Sequence, residues 1–185
     1  MIESIISNNC HGAVIYHELG LQFKSPTISL QILPEDFWRF CKCLRHYLEA
    51  ELREYTALSD EDKMHLEHMY GRVPTEWPIG RVDDVMIIFQ HDRTFEEASE
   101  KWNRRKERVN YESIGYLFQV YNETYIDCAK KFLELDLPHS IVLTEGFDYP
   151  GACRFDIPEG KDGFGWANGK KYIEDNFSIA EWLEI

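Results

Sequence analysis

The sequence predicts an α/β domain with three layers, α/β/α, around a mostly parallel or mixed central sheet. Its short apolar runs, at 2–7, 84–90, 113–119 and 140–144, are continuous rather than alternating, which marks strands buried on both faces. Between them lie longer stretches with apolar residues at helical spacing, and strand–helix alternation builds a parallel sheet with helices on both faces. The chain has 185 residues, 44% hydrophobic and 29% charged, so a single domain spanning 1–185 has enough material for one core.

The first run, 2–7, ends in Ser7, Asn8, Asn9, Cys10, His11 and Gly12, a buried strand followed by a polar turn. A helix is expected over 13–19, with Gly20 as its C-cap. Ser25 and Pro26 interrupt the chain, and 27–33 reads as an extended, β-branched run. Pro34, Glu35 and Asp36 open a helix, because proline suits the first turn and acids complement the dipole. Phe37, Phe40, Cys41, Leu44, Leu48 and Leu52 then keep helical spacing to about residue 53. Ser59 to Asp62 caps a short polar helix that stops near Gly71, inside a polar insertion at 57–76. The run 84–90 is the best buried strand. Thr94 caps a helix whose inner face carries Phe95, Ala98, Trp102 and Val109. Strand 113–119, helix 124–136 and strand 140–144 follow. Pro158, Gly160, Gly163, Gly165 and Gly169 make a glycine-rich segment at 158–170, and a final short helix covers 178–183.

The net charge of −13 argues against nucleic-acid or anionic-membrane partners, which need basic surface. No window reaches the ~20 apolar residues that span a bilayer, and the first residues lack the basic start and apolar run of a signal peptide. A cytoplasmic protein is expected. Five scattered cysteines read as free thiols, and Cys41 and Cys43 are too close for a zinc knuckle. His65 and His68 near Glu61 have a metal-compatible spacing, but a solvated polar helix explains them better, and no metal is expected.

Ligands of open parallel sheets bind beyond the carboxyl ends of the strands. The four runs end in Asn8, Asn9, Cys10 and His11; in His91; in Gln119; and in Glu145. The first turn precedes a helix, so its N–H groups and dipole make an anion site. A thiol placed there has a lowered pKa and is a candidate nucleophile, with His11, His17 or His91 as its base; alternatively Cys10 packs in the core and the asparagines satisfy the turn. His91 is either a general acid–base or a satisfied loop histidine, and Glu145 presents the same choice. Arg105 lies on the apolar stripe of its helix without an acid one turn away, so it should meet a buried carboxylate or a bound anion. No Walker loop, nucleophile elbow or dinucleotide fingerprint is present.

The opening residues, Ser7 to Gly12, then Ile15 to Leu21, then Ser25, Pro26 and Thr27, resemble the start of a bacterial family of unknown function (domain of unknown function 1919). Its members are often labelled exopolysaccharide or lipopolysaccharide biosynthesis proteins. The likeness continues through 34–48, Pro78 to Gly80, His91, and the helix with Trp102, Arg105 and Arg108, and so covers roughly residues 5 to 145. The resemblance implies a three-layer α/β/α fold and motif residues Asn8, Asn9, Cys10, Gly12, His17, Ser25, Pro26, His91, Trp102, Arg105 and Arg108. The segments 57–76 and 158–170 match less well, so catalysis is not expected there.

Together these readings lead to a transferase in exopolysaccharide, capsule or lipopolysaccharide biosynthesis, with acyl or acetyl transfer to a sugar favoured. Cys10, His91 and His17 are the catalytic candidates; Asn8, Asn9, His11, Gly12, Ser25, Arg105, Arg108 and Glu145 are the ligand-binding ones. No cofactor is expected; acyl-coenzyme A or a nucleotide-sugar enters as donor, and a small-molecule or lipid-linked sugar as substrate. Glycosyl or phosphoryl transfer, and a non-catalytic sugar-nucleotide-binding accessory, are the alternatives.

Overall fold

Two sheets form the frame of the computed structural model, which describes residues 1–157, 159 and 177–184. Strands β1 (Ser4–Ser7), β5 (Ile114–Val120), β6 (Ser140–Glu145) and β7 (Cys153–Phe155) are parallel in the order β1-β5-β6-β7. Strands β2 (Leu52–Glu54), β3 (Ile79–Val82) and β4 (Val85–Ile88) form a small antiparallel sheet. The helices are α1 (His11–Glu18), α2 (Pro34–Lys42), α3 (Leu44–Glu49), α4 (Asp60–Tyr70), α5 (Phe95–Lys106), α6 (Ile126–Leu133) and α7 (Ile179–Leu183), with a 3₁₀ turn at Glu123–Tyr125. The chain is therefore an α/β fold. Of the glycine-rich segment 158–170, only Glu159 falls within the described residues.

The parallel sheet is buried on both faces, as its continuous apolar strands require. Ile5, Leu117 and Leu143 pack with α1 and α7, whereas Ile6, Tyr116, Phe118 and Val142 pack with α2, α3, α5 and α6. On the second face Phe37, Phe118 and Phe132 close a triangle, with ring centroids 5.1 to 5.9 Å apart. Each ring contributes about 2–3 kcal/mol by burial, so the triangle ties α2, β5 and α6 into one layer.

Several expected elements change. The strand expected over 84–90 exists as β4, but in the antiparallel sheet rather than the parallel one. Its partner β3 enters through a two-residue hairpin at Asp83 and Asp84, in which Asp83 adopts φ 53°, a conformation that aspartate tolerates better than most residues. The helix expected to run from 34 to about 53 breaks at Cys43 (φ −125°, ψ 40°), and Leu52 leaves it to pair with Val82 in β2. Strand pairing thus overrides the helical spacing of Leu48 and Leu52.

The run 27–33 is not a strand. Ser29 turns at φ 60°, and only Gln31 bridges, exchanging backbone bonds of 2.8 and 2.9 Å with Ile88. The Ile32 N–H reaches Asn8 O at 2.9 Å, and Thr27 Oγ1 serves the open edge of β1 by accepting from Ser7 N and donating to Ile5 O. This segment covers a sheet edge that would otherwise be exposed, and it couples β1 to β4. The polar stretch 57–76 is integral: α4, capped by Ser59, buries Leu66 fully against Leu33 at the start of α2 and against Ile79, Met86 and Ile88 of the small sheet.

Candidate functional site

The turn from β1 to α1 is held rigidly. Asn8, fully buried, uses its amide like a strand neighbour: Oδ1 accepts from Gln119 N at 2.9 Å and Nδ2 donates to Gln119 O at 3.0 Å. Asn9 Nδ2 donates to Gln119 Oε1 at 2.8 Å and to the Tyr121 hydroxyl at 3.2 Å, while its Oδ1 accepts from His11 N at 3.0 Å. Gln119 Nε2 continues to Glu145 Oε2 at 3.2 Å, and the Tyr121 hydroxyl donates to Gln31 Oε1 at 3.0 Å. A network of this kind, with partners on β1, β5, β6 and the bridging segment, fixes side chains that would otherwise rotate.

Cys10 projects from this frame at the start of α1. Its Sγ lies 3.4 Å from His91 Nε2 and 4.0 Å from Gln90 Oε1, and Gln90 Nε2 donates to the Tyr70 hydroxyl at 3.1 Å. His91 is exposed and Cys10 partly covered. Because β4 belongs to the small sheet, the thiol and imidazole come from two different sheets. Their contact does not follow the parallel-sheet rule from which it was expected; the Gln31 bridge and the Ile32–Asn8 bond bring the two strand ends together.

Desolvation pushes Cys10 up to about 11, against the lowering expected at a helix N-terminus. Two first-turn donors are committed: His11 N–H to Asn9 Oδ1 and Gly12 N–H to Ser7 Oγ at 3.2 Å. The anion site expected in this turn thus has two fewer free N–H groups to offer. Desolvation also pushes His11 down to about 4 and raises Glu145, against the lowering bond from Gln119. The phenols of Tyr70, Tyr121 and Tyr125 are all held above their ordinary value by burial.

The other expected site residues lie elsewhere. His17 is exposed in the last turn of α1, about 10 Å along the helix from Cys10. Ser25 is fully buried and bonds Thr27, holding the β1 edge. Among the described residues Arg105 forms no ion pair. Its guanidinium lies over the Phe23 ring, 5.2 Å from the centroid, and the nearby Asp92 pairs directly with Lys101. Arg108 Nη1 donates to Phe23 O at 3.4 Å, and Phe23 packs on Tyr16, whose hydroxyl serves Glu3 O and Ile5 N. Both arginines therefore pack on Phe23, and neither touches Cys10.

Gln31, Tyr70, Gln90 and Tyr121 were not anticipated as part of this site. Gln90 and Tyr121 follow recognised strand runs and were within reach of the strand-end rule. Tyr70, the last residue of α4, carries no local signal.

A family model described as "Domain of unknown function (DUF1919)" matches residues 2–184. The chain belongs to the DUF1919 family. An uncharacterized protein of Haemophilus influenzae (strain ATCC 51907 / DSM 11121 / KW20 / Rd) is 27% identical over 193 residues, covering 97% of this chain and 83% of that protein. In this DUF1919 chain the matched span includes the first turn, both sheets and Tyr70. No helix among the described residues is long and apolar enough to cross a membrane.

Proposed function

We propose that this chain is a thiol-dependent acyltransferase acting on a sugar precursor of a surface polysaccharide. The observation that carries this reading is the 3.4 Å approach of Cys10 Sγ to His91 Nε2. A partly covered, neutral thiol beside an exposed imidazole is the resting form of a nucleophile–base pair. Cys10 gives its proton to His91 as sulphur attacks the acyl carbonyl of a thioester or ester donor, and the imidazolium then returns the proton to the leaving group. In the second half His91 takes the proton of an acceptor hydroxyl as its oxygen attacks the acyl carbonyl, the carbon–sulphur bond breaks, and the imidazolium returns the proton to the Cys10 thiolate.

Two things support a sugar as acceptor. The uncharged amides and phenols around the thiol suit hydroxyl groups better than anions. The likeness to proteins labelled exopolysaccharide or lipopolysaccharide biosynthesis points the same way. Phosphoryl and glycosyl transfer through the first turn are less favoured, because His11 N and Gly12 N are already bonded.

The test is incubation with acetyl-coenzyme A or p-nitrophenyl acetate, read by intact-protein mass and peptide mapping. One acetyl group should appear on Cys10, none in Cys10→Ala, and His91→Ala should form it about 100-fold more slowly. A wild-type protein that stays unmodified sinks the acyltransferase reading; a rise in Tm with nucleotide-sugars would then favour the accessory role.

A further inference from the structure

We infer that the Tyr70 hydroxyl is the oxyanion donor of the Cys10 centre, placed there by the side chain of Gln90. The inference rests on the acyl-transfer reading. It begins from a shortage: attack on a carbonyl puts negative charge on oxygen, and that charge needs a preorganised donor. In this turn the N–H groups of His11 and Gly12 are spent on Asn9 Oδ1 and Ser7 Oγ, and Val14 N–H closes the first helical turn on Cys10 O. A side-chain donor beside the sulphur answers the need.

Gln90 spans the gap. Its Oε1 faces Cys10 Sγ at 4.0 Å, and its Nε2 donates to Tyr70 at 3.1 Å, so the phenol stands one amide away from the sulphur. Tyr70 oxygen is thereby the acceptor of that bond, and among the described residues no acceptor takes its own proton. The ring is fixed edge-on against Trp77, with centroids 5.4 Å apart, and α4 ends immediately afterwards at Gly71 (φ 70°). The neighbouring phenols are unsuited. Tyr121 already donates to Gln31, and Tyr125 is only 3% exposed. Burial keeps Tyr70 protonated at neutral pH, as a donor must be.

In the step itself, the Cys10 proton passes to His91 Nε2 while the sulphur–carbon bond forms. The carbonyl π pair moves onto oxygen, which Tyr70 O–H stabilises. Collapse restores the carbonyl and expels the alkoxide or thiolate, which leaves with the proton from His91. Tyr70 keeps its own proton throughout.

Two probes separate this role from a structural one. p-Nitrophenyl acetate reacts through a tetrahedral oxyanion, whereas iodoacetamide alkylates sulphur by displacement at a saturated carbon and makes none. Tyr70→Phe should slow acetylation of Cys10 by about 100-fold and leave alkylation at the wild-type rate. Equal slowing of both would reduce Tyr70 to a packing residue, and unchanged acetylation would remove it from catalysis; either overturns the inference. If wild-type Cys10 alkylates but never acetylates, the acyltransferase reading itself has failed and the inference falls with it.

Discussion

Cys10 and His11 are adjacent in one turn, and burial drives both toward their neutral forms by shifting them in opposite directions. The thiol rises to about 11 and the imidazole falls to about 4. For His11 this has a consequence for stability. The unfolded imidazole titrates near 6.5 and the folded one near 4, so between these values only the unfolded chain binds the extra proton. Stability contributed by neutral His11 is complete above that window and is lost as the pH falls through it, by on the order of 2 kcal/mol between pH 7 and pH 5. Urea unfolding of wild type and His11→Gln at both pH values should show a smaller loss in the variant. Equal losses would mean that His11 is hydrated in the fold.

At the scale of elements, one carboxylate does two jobs. Asp36 sits in the first turn of α2, where acids complement the helix dipole, and that much was legible from Pro34, Glu35 and Asp36. The structure adds a long-range role: Asp36 Oδ2 accepts from Met86 N of β4 at 2.8 Å and its other oxygen pairs with Arg39. Burial raises its pKa, against the lowering by the Met86 bond and Arg39. Asp36→Ala leaves the buried Met86 N–H without its acceptor and Arg39 with only Asp84, so it should cost about 2–3 kcal/mol in urea unfolding. Asp36→Asn, which keeps an acceptor for Met86, should cost less. Similar losses in the two variants would show that the ion pair, not the bond to β4, dominates. The caps at Ser59 and Thr94 were readable because each lies three residues from the N–H it serves. The hairpin partner β3 is four residues long, and the run expected over 84–90 takes in Asp84, the second residue of the turn that would have announced it.

For the whole molecule, the two ends of the described chain meet on one face of the parallel sheet. Ile2 N–H donates to Leu183 O at 3.2 Å, and Trp182 Nε1 donates to His139 O at 3.0 Å. Gly115 on β5 makes room for this: a Cβ there would stand 2.7 Å from Trp182 Cζ2 and 2.9 Å from Ile2 Cγ2. Gly115→Ala should therefore push α7 off the sheet, with a loss of about 1–3 kcal/mol and a lower Tm. Proteolysis near residue 178 should accelerate in the variant. Unchanged Tm and cleavage would mean that α7 contributes little to the fold.

The sequence by itself determined the class of fold, most helices and their caps, three of the four parallel strands, and the turn that carries Cys10. Those features are written within a few residues of one another, in apolar period, capping chemistry and turn residues. Tertiary structure alone decided that β4 leaves the parallel sheet, that His91 nevertheless reaches Cys10, that Arg105 and Arg108 pack on Phe23, and that Tyr70 bonds Gln90 from a helix without a local signal. It also reversed the expected shift of the Cys10 thiol. The reason is the same in each case: strand pairing and desolvation depend on what distant segments bring alongside a residue, and spacing along the chain does not encode it.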